Sequence, residues 1–218
     1  MMPAAGRQLV PLGGIFGLGW LPASAIGVYW LESVLLALIA VIWCRRLQRR
    51  TSDQAIHAAR LAGETEAAAA LAVEQAAARK AGVDPRAVMA FHLPSLGMFG
   101  LFFGGIFFIA AQNGLFETPL NWNEFRDGAT AMLIVIALGF GVEQIFFPAT
   151  SVGAVQDRVD ACTGRWALLW MLGFFGTGMM LYTGRPETLI SFFAVLKVTH
   201  ETWGGLARAF GWTSRPAA

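Results

Sequence analysis

Charge is what this sequence has least of. Asp, Glu, Lys and Arg make up 14% of 218 residues, against about a quarter in an ordinary soluble domain. A chain this poor in charge and with a mean hydropathy of +0.56 does not cover a water-soluble surface. Cysteine is nearly absent: Cys44 and Cys162 are the only two, with no Cys-x-x-Cys spacing and no nearby metal partners. That excludes a disulfide framework and a zinc ribbon, and both thiols read as structural. Catalytic motifs are missing as well. There is no His-Glu-x-x-His, no Gly-x-Ser-x-Gly and no phosphate loop, so an enzyme is not the first expectation and no cofactor or metal is expected. A formal charge of +2, without a basic surface interleaved with aromatics, excludes nucleic acid as a partner.

What is abundant is apolar. Hydrophobic residues reach 56%, with 17 Phe and 8 Trp suited to lipid-facing and interfacial positions. The expected fold is all-α, an integral membrane bundle of about six helices forming one membrane domain over 1–218, with spans near 8–20, 22–44, 89–111, 130–149, 166–183 and 188–208. The first is short and rich in glycine. It reads either as a loosely packed span, which could re-enter, or as a signal peptide with Arg7 ahead of it and Ala23-Ser24-Ala25 as the cleavage site. Residues 113–128 and the stretch holding Asp157, Arg158, Asp160 and Arg165 read as polar loops.

Between spans two and three lies a polar, alanine-rich segment, 45–86, whose Ala, Glu, Gln and Arg favour helix. It reads as a cytoplasmic helical insertion broken near Gly63, with a docking or anionic-lipid-binding arm as the alternative. Six spans with both termini inside place thirteen of the sixteen Lys and Arg residues on the cytoplasmic side and two outside, with Lys197 inside a span. The positive-inside rule selects that orientation. The expected location is the bacterial cytoplasmic (inner) membrane. The bilayer itself is the expected partner, with a membrane protein or a second copy of the chain beside it.

A few polar groups sit inside the apolar runs. Glu32 and Lys197 each fall about ten residues into a span, near the midplane, where a carboxylate costs roughly 2.5–3.5 kcal/mol unless paired, protonated or wetted. Glu143, His200 and Glu201 fall in the cytoplasmic half, and His92 nearer the cytoplasmic face. Lys197, His200, Glu201 and Gly204 share one helix face. Glu32 with Lys197 reads as a neutralising pair or as a titrating site in a solute path. Glu143 with either histidine reads as a polar contact, with a proton relay or part of a metal site as the alternatives. Gly97, Gly100 and Gly104, and later Gly173 and Gly176, read as helix-packing positions that let a neighbour approach closely.

Tyr29-Trp30-Leu31-Glu32-Ser33 is similar to the Tyr-Trp-x-Glu-Asn/Ser pattern of a prokaryotic multi-pass membrane family, domain of unknown function 6498. Gly97-Met98-Phe99 with Gly104 resembles that family's central helix, and Lys197 with Glu201 its late Lys-x-x-x-Asp. Ser95 and Phe103 stand where the family pattern has histidines, and His92 is displaced by three. The resemblance implies membrane location and no known activity, and it directs attention to Glu32 and Lys197. The function classes left open are a small-solute or ion transporter, an accessory or assembly subunit holding a structural charge pair, and a membrane enzyme.

Overall fold

The computed structural model describes residues 13–14, 17–112, 121–146, 151–183 and 185. Every element there is an α-helix, in the order α1 (Pro22–Arg50), α2 (Asp53–Leu61), α3 (Thr65–Lys80), α4 (Pro85–Gln112), α5 (Trp122–Phe146) and α6 (Val152–Thr183). Three stretches, Ser24–Leu61, Thr65–Ile106 and Trp122–Ile145, contain helix long and apolar enough to cross a membrane. The expected span at 188–208, with Lys197, His200 and Glu201, lies outside the described residues, as does most of 8–20.

Two boundaries differ from the sequence reading. Residues 152–165, read as a polar loop, form the first half of α6, a helix of 32 residues. At ~1.5 Å per residue that is about 48 Å, longer than a ~30 Å hydrocarbon core. Hydropathy stopped the span at the first charged residue, but helical structure continues wherever each charge has a partner or reaches water. Residues 122–128 are likewise helical. Asn121 caps α5, its Oδ1 accepting from the backbone N–H of Asn123 at 3.1 Å. Three residues on, Glu124 takes the Asn121 side-chain amide on Oε1 at 3.0 Å. Together these resemble the reciprocal cap of a helix start.

The chain divides into two compact units, and α1, α4, α5 and α6 contribute residues to both. The first comprises residues 1–29, 103–136 and 168–218. Within it the starts of α1 and α5 cross closely. Glu124 Oε2 accepts from the Leu21 N–H at 2.9 Å, and Ser24 Oγ accepts from the Asn121 N–H at 3.3 Å. A Cβ at Gly27 would come within 3.0 Å of the Phe125 ring, and one at Gly128 would collide with Trp20. Further along, Phe103 meets Trp170 and Phe174 edge-on, each at 6.0 Å between ring centres, and lies against Gly173.

The second unit comprises residues 30–102 and 137–167. Its apolar core gathers Ala40, Val41, Trp43, Cys44 and Leu47 of α1 with Ala78 of α3, Val88 of α4 and Val155 of α6. The alanine-rich insertion therefore does not hang free. Its two helices turn back on each other at Gly63, whose φ of +80° is the left-handed conformation that glycine adopts without strain. Ser52 Oγ accepts the Ala55 N–H at 3.2 Å and starts α2. Arg50 pairs with Glu74, and Gln75 donates to Asp53 at 2.9 Å, tying α3 to the end of α1.

Candidate functional site

On α1 the buried positions 25, 28, 29, 32, 40, 44 and 47 recur at helical spacing, so Glu32 lies on the stripe that packs inward rather than on a face open to lipid. The motif around it reaches two other helices. Trp30 Nε1 donates to the Leu96 carbonyl of α4 at 2.7 Å. The indole lies over Gly100, where an added Cβ would meet it at 3.2 Å. A carbonyl has two lone pairs, so Leu96 can accept the indole and keep its helical bond. Between apolar helices in lipid, close packing and such hydrogen bonds supply the association that water supplies elsewhere.

Two residues along, Glu32 faces α6. Its side chain is 1% exposed, and its Oε1 lies 3.6 Å from Arg165, itself 15% exposed. Arg165 is a partner that sequence reasoning missed, since it was assigned to a loop. The available signal was the cost of burying Glu32, which demanded a cation, together with the absence of proline between Arg158 and Trp166.

In the same unit α4 and α6 bring further polar groups together. His92, 3% exposed, lies 3.5 Å from the Thr163 hydroxyl through Nε2, while Nδ1 is buried with no hydrogen-bond partner among the described residues. The Trp166 indole N–H is buried and equally unpartnered there. Phe91 links the two, its ring centre 5.2 Å from His92 and 5.2 Å from Trp166. Cys162 donates to the Leu36 carbonyl at 3.5 Å, a structural contact for that thiol.

A second polar group forms elsewhere in this unit. Glu143 of α5 accepts from Arg158 of α6 at 2.6 Å, both side chains partly exposed. Arg158 also lies over the Trp43 ring at 4.7 Å, Arg46 over the same ring at 5.3 Å, and Arg46 donates to Gln144. Glu143 is thus held by an arginine and, among the described residues, makes no hydrogen bond to His92. Among the described residues no set of three or more His, Cys, Asp or Glu is placed to hold a metal.

The expected site residues are distributed as follows. Glu32, Glu143 and His92 are buried or partly buried in the second unit, and Glu32 and His92 each face α6. Lys197, His200 and Glu201 lie outside the described residues, so the expected Glu32–Lys197 contact does too. Of the packing glycines, Gly100 lies under Trp30 and Gly173 under Phe103, whereas Gly97 and Gly104 have nothing among the described residues within 4 Å of an added Cβ. The surroundings of Gly176 are outside the described residues.

One family matches the chain, over residues 2–208, and is described as Family of unknown function (DUF6498). No curated protein matches, and no solved structure does.

Proposed function

The chain belongs to this family of unknown function, and from that premise we propose that it is a multi-pass membrane protein whose Glu32–His92–Arg165 cluster binds a small polar solute or ion, as a transporter would. Six spans, cytoplasmic termini and a bacterial inner-membrane location complete the reading. One observation carries it. In the unit that holds the buried Glu32–Arg165 pair, His92 Nδ1 and the N–H of Trp166, the residue next to Arg165 in the chain, are buried with no partner among the described residues. A buried polar group without a partner costs about 1–3 kcal/mol. A pair serving only to hold α1 on α6 would need neither group, whereas a bound solute or ion with its water would satisfy both.

The second reading is an accessory subunit whose charges are purely structural. It is favoured by the Glu143–Arg158 contact at 2.6 Å, which with Glu32–Arg165 makes α6 a helix held to two neighbours by arginines. Solvent access separates the readings. In a background with Cys44 and Cys162 replaced by Ala, Thr163→Cys should react with a membrane-impermeant thiol reagent, as should His57→Cys on exposed α2. Full labelling at 57 with none at 163 would leave the cluster dry, and the accessory-subunit reading would take its place.

A further inference from the structure

A pocket of about 460 Å³ opens in the second unit where four helix ends meet: the end of α1, the start of α2, the end of α3 and the start of α4. Its size falls within the ~300–1,000 Å³ usual for small-molecule sites. Part of its lining belongs to the apolar core of that unit. Its polar side chains are Gln48, Thr51, Ser52, Asp53, Gln75, Arg79 and Asp84.

The charges have a definite pattern. Asp53 Oδ1 accepts from Gln75 and Asp84 Oδ1 from the Arg86 backbone N–H, so each carboxylate keeps its second oxygen available. Arg79 has no ion-pair partner among the described residues. The pocket therefore offers two acceptor carboxylates on different helices and one uncommitted guanidinium. A bare anion would meet two negative groups. Among the described residues no set of three or more His, Cys, Asp or Glu is placed to hold a metal ion, and Asp53 with Asp84 makes only two. A group carrying both an ammonium and a phosphate satisfies both signs. Three N–H donors suit the two carboxylates and Gln48, and the fork of Arg79 suits a phosphate.

Depth points the same way. Thr51 and Asp84 lie seven residues past position 44 and five before position 89, the ends of the two flanking spans. That places them roughly 7–10 Å beyond the apolar runs, about the level of the headgroup layer. We propose that this pocket binds the zwitterionic aminoethyl-phosphate group, with its ammonium on Asp53 and Asp84 and its phosphate on Arg79. The same chemistry is carried by a phosphatidylethanolamine headgroup and by soluble O-phosphoethanolamine. The site is separate from the Glu32 cluster and needs only that α1 and α4 span the bilayer.

The test titrates the full-length chain, purified in detergent, with short-chain phosphatidylethanolamine, phosphatidylcholine, phosphatidylglycerol and O-phosphoethanolamine, reading binding by calorimetry. Phosphatidylethanolamine should bind best. Phosphatidylcholine, whose quaternary nitrogen has no N–H to donate, should bind about tenfold more weakly, and so should phosphatidylglycerol, which has no ammonium. Arg79→Gln and Asp53→Asn, both at exposed positions, should each weaken the phosphatidylethanolamine complex about tenfold. Lys80→Gln, outside the pocket lining, should not. Competition by O-phosphoethanolamine would mean that the headgroup alone suffices, and its failure beside tight lipid binding would identify a bilayer lipid as the ligand. Equal binding of all three lipids, or a phosphatidylethanolamine complex indifferent to both pocket variants, overturns the proposal. Unliganded melting temperatures within a few degrees of the parent show that the variants are folded.

Discussion

Glu32 is 1% exposed and Arg165, itself 15% exposed, stands 3.6 Å away. Removing one member of a buried pair typically costs ~3–5 kcal/mol, because the remaining charge is left uncompensated, while replacing both is often close to neutral. Glu32→Gln and Arg165→Met should therefore each lower the melting temperature of the detergent-purified chain, and the double variant should recover much of the loss. A parallel cycle with Lys197→Met measures whether the lysine shares the carboxylate. Strictly additive losses for Glu32 and Arg165 would show that they do not act as a pair. The demand for a partner was legible in the sequence, because a carboxylate in an apolar run has to be answered. Arg165 was not picked out, since hydropathy scores a charge by its own cost and takes no account of the residue that offsets it. His92 was singled out from sequence, but its company with Thr163 and Trp166 depends on the register of α4 against α6, which no local pattern encodes.

Where helices meet, the glycines separate into two kinds. A Cβ at Gly173 would collide with the Phe103 ring, and one at Gly100 would press on Trp30 at 3.2 Å, whereas at Gly97 and Gly104 it would meet nothing among the described residues within 4 Å. Gly173→Ala should cost about 1–3 kcal/mol, since the aromatic cluster of Phe103, Trp170 and Phe174 has to shift. Gly97→Ala should leave stability unchanged or raise it by less than about 1 kcal/mol, through the better helix propensity of alanine. Thermal melts of the two variants side by side check both; equal losses would mean that the close approach at Gly173 does not limit packing. The Gly-x-x-x-Gly spacing was visible in the sequence, but which of its members touches a neighbour follows from the rotation of the helix. The alanine-rich insertion was the more readable element, because a break at Gly63 and strong helix formers on either side act locally. Its anchoring through Ala78, Glu74 and Gln75 uses residues that look like ordinary solvated ones in the sequence.

For the molecule as a whole, the helical class was readable throughout, because the apolar runs are long and nearly free of charge, and three described stretches are long and apolar enough to cross a membrane. Orientation rests on the distribution of charge. If Arg158 and Arg165 are taken out of the count, as cations engaged by Glu143 and Glu32, the Lys and Arg residues of 45–86 still outweigh Arg126 and Arg185. The positive-inside rule acts on charges in short loops near the span ends, so this segment predicts one sidedness for α1 and α4 together. A reporter inserted after Gly63, at the exposed turn between α2 and α3, should read cytoplasmic. One inserted at Asn121, ahead of α5, should read external. A fusion after Ala218 should read cytoplasmic if six spans are crossed. Gly63 and Asn121 on the same side would mean that α4 does not cross, and the pocket at the helix ends would lose its headgroup depth. Gly63 and Ala218 on opposite sides would leave α4 in place and require an odd number of crossings between them.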